Sequence, residues 1–164
     1  MNILITGGAG FIGSHVVRLF VNKYPEHNII NLDILTYAGN LENIKDLIDK
    51  PNYSFEKGDI RDVDFLEMVF NKFNINVIVH LAGKGGVRYS IENILDYFDV
   101  NVTGSINLLE VMKRFNVKNF IFASSSSIYG DNTKVLKETD CSNRQLSPYA
   151  TSKKTIELVN YNYH

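Results

Sequence analysis

The chain has 164 residues, 45% apolar and 21% charged, with 17 basic and 18 acidic side chains for a net charge of −1. That size and balance describe one domain with a real core, and the evenly mixed charge excludes a basic tract for nucleic acid or an anionic membrane surface. Cys141 is the only cysteine, which excludes an internal disulfide and thiolate zinc clusters; with no leader-like start and no apolar run near the roughly 20 residues of a spanning helix, the expectation is a cytoplasmic protein that makes no membrane contact.

In chain order, the predicted elements alternate short apolar runs with longer helical patterns. A strand at Asn2–Thr6 leads through a glycine-rich turn into a helix at Phe11–Lys23. A strand at Asn28–Asp33, a short helix at Leu41–Asp49, a strand at Tyr53–Lys57 and a helix at Asp62–Phe73 follow. The second half reads as a strand at Val77–Leu81, a helix at Asn101–Phe115, a strand at Asn119–Ser124 and a helix at Tyr149–Tyr163. Ile106, Leu108, Leu109, Val111 and Met112 make a broad apolar face on the Asn101 helix. Strands rich in Ile, Val, Phe and Leu suit burial on both faces of a parallel sheet. The alternation predicts the α/β class, a doubly wound parallel sheet with right-handed crossovers and strand order 3-2-1-4-5.

The turn Gly7-Gly8-Ala9-Gly10-Phe11-Ile12-Gly13 joins the first strand to the first helix. In such a turn Gly7 permits the tight bend, Gly10 lets a pyrophosphate approach the backbone and Gly13 lets the helix pack closely on the sheet. The N–H groups at the helix start, around Phe11 and Ile12, then attract the phosphates. Asp33 ends the second strand twenty residues beyond Gly13. A carboxylate there accepts hydrogen bonds from an adenosine ribose and repels a 2′-phosphate, which favours NAD over NADP. Asp59 and Ile60 can flank an adenine, and Leu81-Ala82-Gly83 leaves room for a cofactor close to the fourth strand.

Ser124–Ser127 follows the fifth strand, at the sheet edge where open α/β folds bind ligands. Tyr149 and Lys153 lie one helical turn apart and share a face. A nearby ammonium favours the phenolate, so such a tyrosine can serve as general base on a substrate hydroxyl beside a nicotinamide. A serine hydroxyl can hold the same oxygen. Arg88 can reach a substrate carboxylate or phosphate. Lys84 reads as a solvated side chain, His80 as a core histidine, and Cys141 carries no assigned chemistry. His15 and His27 have no matching partners nearby in the sequence, so no metal site is expected.

Together these motifs resemble the extended short-chain dehydrogenase/reductase superfamily, and within it the nucleotide-sugar epimerases and dehydratases. The likeness spans nearly the whole chain and rests on Thr6–Ser14, Asp59-Ile60-Arg61, His80-Leu81-Ala82-Gly83, Asn101, Ser124-Ser125-Ser126, Tyr129-Gly130 and Ser147–Lys153. It implies a Rossmann fold with NAD as cofactor. Tyr149 would be the catalytic base, Lys153 its tuner and a ribose contact, and Ser125 the hydroxyl-bearing catalytic position with Ser126 beside the substrate. Asn101 matches a position that supports the helix and cofactor site. The resemblance also implies a nucleotide-linked hexose as substrate and a homodimer paired through the helices at Asn101–Phe115 and Tyr149–Tyr163.

The stretch Asp33–Leu41 is similar to dTDP-glucose 4,6-dehydratase, which carries Thr-Asp-Glu where this chain has Ser125-Ser126-Ser127. Eliminating water needs a proton donor and a base beyond Tyr149, and ordinary serine hydroxyls are poor replacements. Gly86–Ser90 and Ser125–Gly130 resemble UDP-glucuronate 4-epimerase and its UDP-glucose relatives instead. Epimerisation needs one oxidation and one return of hydride, so the expectation is an NAD-dependent 4-epimerase. A 4,6-dehydratase and an NAD-binding fragment without activity of its own are the alternatives. The family places a nucleotide-sugar domain after the Tyr/Lys helix, so residues 1–164 are expected to be a truncated NAD-binding domain with the substrate domain missing.

Overall fold

The computed structural model describes residues 1–131 and 135–163. Five strands, β1 (Asn2–Thr6), β2 (Asn28–Asp33), β3 (Tyr53–Lys57), β4 (Val77–His80) and β5 (Asn119–Phe122), form one sheet in the order β3-β2-β1-β4-β5. Every pairing is parallel, with Thr6 opposite both Leu32 and His80, and His80 opposite Phe122. The carboxyl ends of all five strands therefore meet one edge. Order and direction are those of the doubly wound Rossmann fold, as the sequence pattern predicts.

The central strands are apolar throughout because both of their faces are covered. In β1, Leu4 joins a cluster with Ile30, Leu66, Phe70, Ile78 and Leu108. This layer holds α2 (Val63–Phe73) and α5 (Gly104–Arg114) against the sheet. The alternate residues Ile3 and Ile5 join Val17, Val21, Ile29 and Leu47 beneath α1 (Phe11–Lys23) on the other side. Capping sets where the helices begin. Asp62 accepts from Phe65 N at 3.0 Å to start α2, and Ser147 accepts from Ala150 N at 3.1 Å, with Pro148 in the first turn, to start α6 (Pro148–Asn162).

Several boundaries depart from the sequence expectation. β4 ends at His80 and β5 at Phe122, short of Leu81 and Ser124. The segment expected as a helix at Leu41–Asp49 is a 3-10 helix over Leu41–Leu47, entered by an Asn40 side chain that accepts from Glu42 N. Two short helices, α3 (Val87–Glu92) and α4 (Ile94–Phe98), had no predicted counterpart. They bury few side chains, chiefly Ser90 and Tyr97, so no apolar period marks them. A π-helical turn over Asp99–Thr103 follows, and α5 proper starts at Gly104 rather than Asn101. The expected burial of both faces fails at β5, an edge strand whose Ile121 is 58% exposed.

Phe70 fills the layer between α2 and the sheet and packs on Phe115 at 5.4 Å between ring centroids. Phe70→Ala should lower the unfolding free energy by about 3–5 kcal/mol. Met68→Ala, on the exposed side of the same helix, should change it by less than about 0.5 kcal/mol. Urea unfolding followed by circular dichroism checks both.

Candidate active site

A cavity of about 460 Å³ opens at the carboxyl edge of the sheet. Its floor is the turn after β1, where Gly7 has φ +74 and an added Cβ would lie 2.7 Å from Ala82 N. A Cβ on Gly13 would lie 2.0 Å from the Gly7 carbonyl oxygen. Only glycine permits either approach. Gly10 N donates to Gly7 O at 3.2 Å, and α1 begins at Phe11 with its first N–H groups directed at the cavity end of the helix. Phe11 and Ile12 line the cavity with largely exposed side chains.

Asp33 closes one wall. Its carboxylate is buried and accepts from Ala9 N at 3.0 Å and from Leu35 N at 2.8 Å. Leu35 adopts φ 60, a left-handed conformation that costs a side-chain-bearing residue of order 1–3 kcal/mol. The Asp33 bond holds it there and turns Thr36–Gly39 over the cavity. Asp59 and Ile60 also line the wall, but the Asp59 carboxylate is forked by Arg61, with Nη2 at 2.6 Å and Nε at 3.0 Å. Arg61 Nη1 reaches Asp99 at 2.6 Å. Burial raises the Asp59 carboxyl, but the Arg61 bonds outweigh it and hold the group below its ordinary range. The same bonds raise the Arg61 guanidinium.

Leu81, Ala82, Gly83 and Ala123 form the far end of the cavity. Lys153 Nζ donates to Ala123 O at 3.0 Å and would lie 3.5 Å from a Cβ on Gly83. The lysine is buried, which pushes its ammonium down to about 8. Asn101 is buried in the π turn: Oδ1 accepts from Lys84 N at 2.7 Å, and Nδ2 donates to Lys84 O and to Ser152 Oγ, each at 3.0 Å. Lys84 is therefore not the solvated side chain expected. It lines the cavity, pairs with Asp96 and lies over the rings of Tyr89 and Tyr97.

Of the remaining predicted residues, Tyr149 is half-buried, edge-on to Tyr97 with ring centroids 6.3 Å apart. Ser125 Oγ accepts from Ser127 N at 3.2 Å and starts a 3-10 turn over Ser126–Tyr129. Ser126 and Arg88 are exposed, Arg88 on α3. Asn101, Ser125, Ser126, Arg88, Tyr149 and Lys153 stand outside the cavity wall itself. Arg61, Lys84, Asp96 and the Thr36–Gly39 loop are wall residues that sequence reasoning did not assign to a site. Arg61 carried a signal as the last residue of a recognised motif, and Thr36–Gly39 lay within the recognised stretch Asp33–Leu41. Among the described residues no three His, Cys, Asp or Glu side chains are grouped to hold a metal ion, and no helix is long and apolar enough to cross a membrane.

The profile of the family described as GDP-mannose 4,6 dehydratase matches residues 4–164. The chain belongs to this family. Curated relatives include protein CapI of Staphylococcus aureus, 42% identical over 99% of this chain and 49% of its own length. The UDP-glucuronate 4-epimerase of Thermodesulfobacterium geofontis is 38% identical, over 98% of this chain and 50% of its own length. Among solved structures, DesIV of Streptomyces venezuelae, a dTDP-glucose 4,6-dehydratase with NAD bound, superposes with a TM-score of 0.92 at 36% identity, covering 100% of this chain and 52% of that one. The chain thus spans about half the length of the relatives it matches, and the family as matched includes both epimerases and dehydratases.

The buried Lys153 gives the fold a pH dependence. Burial holds its folded pKa at about 8, below the ordinary lysine value of 10.5. Between these values the unfolded chain holds the proton and the folded chain does not, so this group adds stability as pH rises through that window. Urea unfolding of the wild type and Lys153→Met from pH 7.5 to 10.5 should show the wild type gaining on the variant.

Proposed function

We propose that this chain is the NAD-binding half of a nucleotide-sugar 4-epimerase. The observation that carries the reading is the far end of the cavity, where the buried Lys153 ammonium reaches Ala123 and Gly83 on the helix that also bears Tyr149. The chain's residues fit an adenine dinucleotide. The volume lies within the roughly 300–1,000 Å³ of small-molecule sites. The Gly7–Gly13 turn presents a helix N-terminus with no side chain at positions 7, 10 and 13, and the buried Asp33 carboxylate, at the end of β2, keeps acceptor capacity for ribose hydroxyls. Asp59, Ile60 and Arg61 would face the adenine, and Leu81–Gly83 the nicotinamide side.

When bound, NAD supplies a hydride acceptor for the sugar C4 and then a hydride donor to its opposite face. The side chains move the proton. As general base Tyr149 takes it from the 4-hydroxyl and later returns it to the same oxygen, with Lys153 one turn along the same helix. Ser125 Oγ already accepts from Ser127 N, so its own hydrogen is left to donate to that oxygen. Ser126 lies beside it, and Arg88, exposed on α3, would meet a substrate carboxylate or phosphate. Inversion asks for nothing more. Loss of water at C5 and C6 needs a further acid and base, and positions 125–127 hold three serines. The nucleotide-linked hexose would be held largely by a part of the protein beyond these residues, in a cytoplasmic homodimer.

The test is turnover of UDP-glucuronate, the substrate of the Thermodesulfobacterium relative's reaction, by the longer enzyme, followed by proton NMR of the sugar. A 4-epimer should form without net NADH. Tyr149→Phe should cut turnover at least about 100-fold while NAD affinity, by calorimetry, stays within about twofold. Accumulation of a 4-keto-6-deoxy sugar, or full turnover by Tyr149→Phe, would overturn the reading.

A further inference from the structure

Buried beneath the far end of the cavity is a hydrogen-bonded chain that the proposed chemistry does not use. His80 is fully buried at the end of β4. Its Nδ1 lies 2.6 Å from Thr6 Oγ1 and its Nε2 2.8 Å from Ser105 Oγ. The neighbours leave one arrangement of protons. Ser105 Oγ donates its only hydrogen to Asn101 O at 2.6 Å, so it must accept from His80 Nε2–H. Nδ1 is then the acceptor and Thr6 Oγ1 its donor, while Thr6 Oγ1 accepts from Ala82 N at 3.2 Å. All bonds run one way, from the Ala82 amide through Thr6, His80 and Ser105 to the Asn101 carbonyl.

Asn101 extends the network through its side chain. Its side chain grips both backbone groups of Lys84 and donates to Ser152 Oγ, which donates to Tyr149 O at 2.7 Å. One network therefore ties the cavity wall at Ala82 and Lys84 to the first turn of the helix that carries Tyr149. The π turn matters here. Asn101 lies in it, with its amide on Lys84 and α6, while its carbonyl takes the Ser105 hydroxyl from four residues on.

We propose that His80 is a positioning residue. As a neutral imidazole protonated at Nε2, it sets the orientation of Asn101 through Ser105, and Asn101 in turn sets the Lys84 turn and the start of the Tyr149 helix. An imidazolium has no acceptor at Nδ1 and would leave the Thr6 hydroxyl without its bond. The surroundings guard against it: burial, with the Lys153 charge adding to it, pushes the imidazole down to about 3. The aromatic rings of Phe120 and Phe122, 5.7 and 5.8 Å away, complete the enclosure. The inference rests on the NAD-binding reading for its functional meaning, but the relay itself can be tested without it.

The first measurement is nitrogen-15 NMR of the chain. His80 should carry its proton on Nε2 and show no titration from pH 5 to 8; a proton on Nδ1, or a midpoint near the ordinary histidine value of about 6.5, would overturn the proposal. The second compares variants shown to be folded by circular dichroism. Ser105→Ala and His80→Asn should each speed exchange of the Lys84 amide and weaken NAD binding about fivefold, the loss of roughly one neutral hydrogen bond. His80→Gln, whose amide can donate from the Nε2 position, should recover at least half of that loss. The double variant Ser105→Ala/His80→Asn should be no weaker than either single one. A merely structural histidine would lower Tm in these variants and leave Lys84 exchange and NAD affinity at the wild-type values, which would also overturn the proposal. A wild-type chain that binds no NAD would count against the cofactor reading, while the tautomer and the Lys84 exchange would still judge the relay.

Discussion

The site depends on a close approach of backbone to backbone. The Gly7 carbonyl and the Gly13 α-carbon stand where a side chain on residue 13 would collide with backbone, and Gly7 bends with φ +74 against Ala82. Because neither position has a Cβ, α1 can start directly above the end of β1 with its N-terminus at the sheet edge. A helix displaced by even one methyl group would carry its free N–H groups away from the crevice between β1 and β4. The parallel register does the rest by bringing Leu32, Thr6, His80 and Phe122 to the same level, with Asp33 one residue beyond Leu32.

Around that crevice, polar groups are held by the protein before any ligand arrives. Asp33 is held by two backbone amides, one of which fixes the left-handed Leu35. Asp59 and Asp99 share Arg61, and Lys84 is held by Asp96 through its side chain and by Asn101 through its backbone. Burial without a partner is costly, so each of these groups is oriented by its neighbours. The exception is Lys153, whose named partner is a neutral carbonyl. Its depressed pKa is the direct consequence of holding a charge in a poorly solvated place.

The opposing face of the same end is apolar and aromatic. Tyr89, Tyr97 and Tyr149 contact one another in sequence, and Tyr97 donates to Gly85 O at 2.6 Å, strapping the Gly83–Gly86 turn from one side while Asn101 straps it from the other. The turn needs both straps because Gly83 and Gly86 have positive φ and little intrinsic preference to stay there. The helices α3 and α4 exist to deliver this strap. That explains why their burial is confined to single side chains and why no periodic pattern announced them.

The amino-acid sequence by itself determined the class, the strand order and the glycine turn, because these follow from short-range rules. Apolar runs define strands buried on two faces, β and α alternate, and the spacing from Gly7 to Asp33 is a property of one βαβ unit. Tyr149 and Lys153 were legible for the same reason, being one helical turn apart on a helix expected over Tyr149–Tyr163 and found over Pro148–Asn162. Tertiary structure alone decided how these pieces meet. That Lys84 turns inward, that Arg61 reaches Asp99, and that His80 bridges Thr6 to Ser105 all depend on residues 12 to 74 positions apart in the chain. Side-chain pairing over such separations leaves no periodic trace. It is settled only when the sheet register and the helix packing have brought the groups within a few ångströms and removed the water that would otherwise have satisfied them.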